Sequence, residues 1–143
     1  MNMTQIKVFL DSSVIIAALA SKKGGSFEIL ALAETILIIP FISEKVVKEV
    51  FRNVQKKLPS HLDSYHSLIK SIPIRLVEPT AVDMQHAGSL INEKDAHILA
   101  AAMTAEVDWL LSMDKHFLDP ALKDQIPFSI GKPGDFLTAA QLC

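Results

Sequence analysis

The sequence predicts an α/β fold in which helices cover both faces of a central parallel sheet. Short β-rich runs alternate with stretches of helical period, as parallel strands joined by helical crossovers require. Asp11 and Asp114 each follow such a run, and loops at the carboxyl ends of strands carry the chemistry in proteins of this class. A length of 143 residues, 50% apolar and 21% charged, suits one globular domain with a sizeable core.

The first strand is Ile6 to Leu10, ending at Asp11, with Ser12 and Ser13 as caps for a helix from Val14 to about Ser21. Asp11 reads both as a turn or cap residue and as a strand-end carboxylate with a chemical role. After the basic loop Lys22 to Gly25, Ser26 caps a helix from Phe27 to Glu34, and a second strand runs from Ile36 to Ile39, closed by Pro40. Ser43 caps a long helix whose apolar side is Val46, Val47, Val50 and Val54. Its other side carries Lys45, Lys48, Glu49, Arg52 and Lys56. That stripe reads either as a solvated face, with Glu49 paired to neighbouring lysines, or as a cationic rim beside an acidic pocket. Leu58-Pro59 stops this helix, another spans His61 to Ile72, and a third strand runs from Ile74 to Val77.

A helix from Ala81 to Ile91 leads through Asn92-Glu93-Lys94 to Asp95. Ile98, Leu99 and Ala102 follow Asp95 at the third, fourth and seventh positions, so the acid heads an apolar stripe. A carboxylate turned toward a core is costly unless hydrogen bonds, a cation or a metal stabilise it, although a helix-start acid favoured by the macrodipole is the plainer account. Trp109-Leu110-Leu111 is a buried strand ending at Ser112-Met113-Asp114. Pro127 to Ile130 is the last strand, Gly131 to Gly134 a turn, and Phe136-Leu137 close over the core. Asp11 and Asp114 share one edge of the sheet; the antiparallel course of the helix is read as placing Asp95 at the opposite edge.

Composition narrows the function classes. A net charge of -2 gives no global attraction to nucleic acid, so a polyanion needs a local basic surface or a metal. The one cysteine, Cys143, excludes an intrachain disulfide and a cysteine-rich zinc site, and suits a reducing cytoplasm. Lys7 and Asp11 interrupt the N-terminal apolar residues, so no signal peptide is expected. No apolar run reaches the roughly 18 residues of a membrane helix, and no membrane association is expected. Without repeats or linkers, residues 1–143 read as a single domain.

Asp11 after the first strand, Ser43 with Glu49 in a helix, Lys94-Asp95-Ala96-His97 opening an alanine-rich helix, and Ser112-Met113-Asp114 with Phe117 together resemble the PIN domain. The Gly24-Gly25-Ser26 loop and the segment Lys132 to Leu137 are similar to a subgroup of toxins from toxin–antitoxin systems. The resemblance implies a three-layer α/β/α sandwich, metal-dependent cleavage of RNA, and an acidic cluster of Asp11, Glu49, Asp95 and Asp114. It also implies that the start of the Asp95 helix comes round to the strand ends. The family often has threonine where Ser112 stands, and an acid beyond the last aspartate where this chain has His116; Asp119 is a candidate substitute.

On that footing Asp11, Asp95 and Asp114 are expected to bind Mg²⁺ or Mn²⁺, since hard oxygen donors favour these ions over zinc. Glu49 completes the shell or orients water, and Ser13 positions a carboxylate or simply caps the helix. Lys45, Lys48, Arg52, Lys115 and His116 are candidates for RNA phosphates, whereas His97 reads as a hydrogen-bonded helix residue. Expected partners are an RNA substrate, an antitoxin protein and a second copy of the chain. The alternatives are a PIN-like binding module and a phosphoacceptor receiver. The first strand ends in one acid and not an adjacent pair, which counts against a receiver.

Overall fold

In a computed structural model of the chain, which describes residues 5–35 and 37–141, Val8, Phe9 and Leu10 are fully buried. Ile36 and Cys143, named above, lie outside the described residues. The buried trio belongs to β1 (Ile6–Leu10), the middle strand of a five-stranded sheet completed by β2 (Ile38–Ile42), β3 (Arg75–Leu76), β4 (Trp109–Leu111) and β5 (Ser129–Gly131). The order is β3-β2-β1-β4-β5, and every pairing is parallel. Strands buried on both faces read as continuous apolar runs, as Val8-Phe9-Leu10 of β1 and the whole of β4 do.

The chain leaves β1 for β2 on one side and β4 for β5 on the other, so the strand order reverses between β1 and β4. Such a reversal opens a crevice beyond the carboxyl ends of the two strands. Asp11 and Asp114 follow those ends.

Right-handed crossovers put α1 (Ser12–Ala20), α2 (Gly25–Glu34), α3 (Glu44–Lys57) and α4 (Leu62–Ser71) on one face of the sheet. They put α5 (Ala81–Leu90), α6 (Glu93–Ala105) and α7 (Pro120–Lys123) on the other. The packing agrees: α1 rests on α2 and α3, α3 on α4, and α5 pairs with α6. The closing helix α8 (Pro133–Ala139) returns to α2, and its Phe136 meets the ring of Trp109 edge-on at 5.5 Å. The expected closure over the core by Phe136 and Leu137 is therefore observed, since both are buried. In α6, Ala100, Ala101 and Ala102 are fully buried, so strong helix formers with minimal side chains let the helix lie close to its neighbours.

Several expectations are corrected. The cap reading of Asp11 holds and that of Ser12 and Ser13 does not: the Asp11 carboxylate accepts the Ser12 amide at the start of α1. Gly24 precedes α2, and Ser26 is buried inside its first turn. Pro40 lies within β2 opposite Val8; β3 pairs only with Phe41 and Ile42, so the strand has one paired neighbour there and tolerates a residue without an N–H. The helix expected from His61 begins as a 3-10 turn, Pro59–His61. The third strand is shorter than expected, although the Val77 amide still donates to the Ile42 carbonyl at 2.9 Å. The expected turn Gly131 to Gly134 is divided between the end of β5 at Gly131 and the start of α8 at Pro133. Finally, α6 begins at the carboxyl edge of the sheet and not at the opposite edge, with Asp95 beside Asp11 and Asp114. A helix antiparallel to the strand it feeds starts where that strand will end, so ordinary crossover packing suffices.

Among the described residues no helix is long and apolar enough to cross a membrane. Gly131 closes β5 under Trp109: a Cβ there would lie 3.0 Å from Trp109 Cζ3 and 3.0 Å from Asp135 Cβ. Gly131→Ala is expected to destabilise the fold by about 1–3 kcal/mol, read as a lower urea midpoint with an unchanged slope.

Candidate active site

The carboxylate of Asp11 is 6% exposed at the start of the crevice. Its Oδ1 accepts the Ser12 amide at 2.8 Å, and its Oδ2 accepts the hydroxyls of Ser13 at 2.9 Å and Ser112 at 2.7 Å. Burial pushes the Asp11 carboxyl above the usual aspartate range, the serine donors pull it down, and the Glu49 charge adds a smaller upward push. The serines also join the two loops. Ser13 Oγ accepts the Met113 amide at 3.0 Å, and Ser112 Oγ accepts the Asp114 amide at 2.9 Å.

Asp114 is held by a tight local turn in which its Oδ1 accepts the His116 amide at 2.9 Å. That turn directs the His116 ring between two acids: Nδ1 lies 3.2 Å from Asp95 Oδ2 and 3.5 Å from Asp114 Oδ1. Asp95 is fixed from the other side by Asn92, the cap of α6, whose amide group donates to Asp95 Oδ2 at 2.8 Å and accepts the Asp95 amide at 3.0 Å. The side-chain donors of Asp95, Asp114 and His116 all lie within 4.8 Å of one another. Asp11 is not in that group, because its oxygens turn toward the serines.

Glu49 enters from α3. Ser12 Oγ donates to its Oε2 at 2.9 Å, so this acid is anchored to the start of α1 and not to the lysines of its own stripe. Lys48 pairs instead with Glu44 at 3.7 Å, and Lys45 Nζ reaches the Lys94 carbonyl at 3.2 Å. Asp11, Glu49, Asp95 and Asp114 thus line one hollow of about 340 Å³, with Arg52 and Lys94 also on its wall. Carboxylates gathered in this way repel one another, and burial already penalises the charge on Asp11. Oxygen donors with one imidazole suit a divalent cation that relieves both effects.

The remaining candidates separate clearly. Of the proposed phosphate ligands only Arg52 lines the acidic hollow; Lys48 lines a groove between α3 and α4, and Lys115 lines an adjoining depression beside α7. His116 belongs with the acids. Asp119 caps α7 through the Ala121 amide at 3.0 Å and does not join the cluster. His97 departs from its expected hydrogen-bonded state: Nδ1 is buried and has no partner among the described residues, and Nε2 stands 3.9 Å from Glu78. Burial lowers the His97 pKa, with Lys45 pushing the same way and Glu78 and Glu49 opposing. Sequence reasoning missed Ser12, Asn92 and Lys94 as site residues. The pattern Asn92-Glu93-Lys94-Asp95, a cap followed three residues later by an acid, was a usable signal for Asn92.

Residues 7–116 match the sequence profile of the PIN domain. The chain belongs to the PIN domain family. The family expectation of a three-layer α/β/α sandwich is thereby met, with the parallel sheet between two helical layers. No curated protein sequence matches the chain significantly. Solved structures that share its fold include the following three. One is VapBC2 from Rickettsia felis, bound to a DNA fragment from its promoter, at 18% identity and a TM-score of 0.63, covering 89% of this chain and 98% of that one. PAE2754 from Pyrobaculum aerophilum gives 12% identity and a TM-score of 0.64, over 95% and 90% of the respective chains. VapC20 from Mycobacterium tuberculosis, a toxin that cleaves the sarcin–ricin loop, gives 15% and 0.54, over 75% and 89%.

In this PIN domain the raised pKa of Asp11 has a direct effect on stability. The folded protein holds the Asp11 proton to a higher pH than the unfolded chain, whose value is near 3.8, so stability is lost as pH rises from there through the raised value. Without divalent metal, Asp11→Asn is expected to hold a pH-dependent advantage in urea midpoint that grows toward neutral pH, because only the parent must then carry the buried charge. This offsets the lost Ser13 and Ser112 donations to Oδ2, which an amide nitrogen cannot accept. The advantage should vanish at acid pH, as followed by urea denaturation at a series of pH values.

Proposed function

We propose that this PIN domain is a metal-dependent endoribonuclease that hydrolyses RNA phosphodiester bonds, and that it is the toxin of a toxin–antitoxin pair. The observation that carries the reading is the meeting of Asp11, Glu49, Asp95 and Asp114, from four separate segments, in one hollow. A fold shared with VapBC2 and with an RNA-cleaving VapC supports the toxin assignment. The antitoxin would be a protein partner, and a cytoplasmic location fits an RNA substrate.

Asp95, Asp114 and His116 would hold Mg²⁺ or Mn²⁺, with Asp11 supporting the charge from its serine cradle. When bound, such an ion supplies positive charge at the phosphodiester and lowers the pKa of water. Glu49, fixed through Oε2 by Ser12, keeps Oε1 for orienting the attacking water and taking its proton. Arg52 and Lys94, on the wall of the hollow, receive the negative phosphate oxygens. Ser112 holds the acidic loops in register by donating to Asp11 while accepting the Asp114 amide.

With a varied RNA pool and added Mn²⁺, Asp95→Asn and Asp11→Asn are each expected to slow cleavage by about a hundredfold or more while circular dichroism stays that of the parent. His116→Ala is expected to weaken Mn²⁺ binding, measured by isothermal titration calorimetry. Undiminished cleavage in both asparagine variants would remove these acids from the mechanism. A parent that binds RNA but never cleaves it would be the binding module instead.

A further inference from the structure

We propose that the groove between α3 and α4 is a nucleotide subsite, in which one base of a single-stranded RNA stacks on Phe51 and the chain then passes Arg52 into the acidic hollow. The proposal rests on the ribonuclease reading of that hollow and adds where the substrate lies beside it.

The groove is about 550 Å³, and among the described residues no acidic side chain lines it. Its walls carry Lys48, Arg52 and Lys70 around an apolar and aromatic centre. Phe51 is 39% exposed, and its ring centre stands 6.2 Å from that of the exposed His66. Below them Tyr65 is buried, its hydroxyl donating to the Val47 carbonyl at 3.3 Å and its ring centre 5.5 Å from His66. The floor is therefore fixed, while the Phe51 ring stays partly open.

Open aromatic faces flanked by cations are how proteins hold single-stranded nucleic acid: each base offers a π-face, and the cations take the phosphates. An apolar peptide would use the same floor. What favours RNA is continuity with the acidic hollow. Lys48, Phe51, Arg52 and Gln55 recur at helical spacing and face the groove, whereas Glu49, Arg52 and Asn53 face the hollow. Arg52 stands on both, so one guanidinium marks the boundary between the stacked base and the phosphate to be cut. A chain with regularly spaced charges can follow that path.

The test uses the full chain and a fluorescein-labelled 12-nucleotide single-stranded RNA. Binding is read by anisotropy in EDTA, which prevents cleavage, and cleavage is read separately with Mn²⁺. Phe51→Ala is expected to weaken binding roughly tenfold, and Phe51→Trp to restore it. RNA should also quench a tryptophan signal that the parent lacks at this site. Neutralising Lys48 and Lys70 together (Lys48→Gln, Lys70→Gln) should flatten the dependence of log K on log salt by about 1.4, two phosphates at 0.7 each. Parent-like affinity in Phe51→Ala, with no added quenching in Phe51→Trp, would overturn the subsite even if the parent cleaves RNA. Loss of affinity in Phe51→Ala with a parent that never cleaves would uphold the subsite and overturn the nuclease reading. A parent that ignores RNA but binds an acidic amphipathic peptide at the groove would overturn both.

Discussion

The arrangement depends on a buried aspartate side chain at the point where the strand order reverses. Asp11 follows the central strand, is almost removed from water, and keeps its place through one amide and two hydroxyl donors. Charged hydrogen bonds of this kind are stronger than neutral ones, and each serine uses its remaining capacity on the neighbouring loop. The loop after β1 and the loop after β4 are consequently one hydrogen-bonded frame. Asp11 N also donates to the Leu111 carbonyl at 3.0 Å, so the sheet ladder continues into that frame. On the proposed reading, a frame built this way is fixed in advance and would lower the reorganisation needed for catalysis.

Around the frame, α3 has two working sides. One side buries Val46, Val50 and Val54 completely and secures the helix against the core. The other is divided between an acid that crosses to α1 and cations that remain with the surface. Ser12 decides which charged residue of the stripe is inward: it selects Glu49 by a hydroxyl donation across 37 positions of sequence. His116 fills a comparable position among the acids, placing an imidazole nitrogen between two carboxylates.

Much of this was readable from residue order alone, and the failures have physical causes. Long helices with strong apolar stripes, α3 above all, and the brief run Trp109–Leu111 stand out because period and length agree. Pro40 misled because a proline usually ends a strand, whereas here one side of β2 is unpaired at that point. Ser12 and Ser13 looked like caps because hydroxyls often are; in the fold Asp11 takes the cap and frees both serines for tertiary bonds. Asp95 was identified by its place on the apolar stripe, yet its edge was misjudged by reversing the sense of an antiparallel crossover. The partners of Glu49 and His116 lie far away in sequence, and no local pattern specifies them. The short turn from Asp114 to His116 was visible, but its consequence for the imidazole was not.

The outer strands of the sheet have one more effect. β3 has only two residues and β5 three, so neither edge offers a long row of free backbone donors and acceptors. Next to β3, Pro40 lacks an N–H altogether. A strand from another molecule would find little to extend, which guards the folded protein against edge-to-edge polymerisation. Sheet extension is therefore a poor route for one copy of this chain to join another.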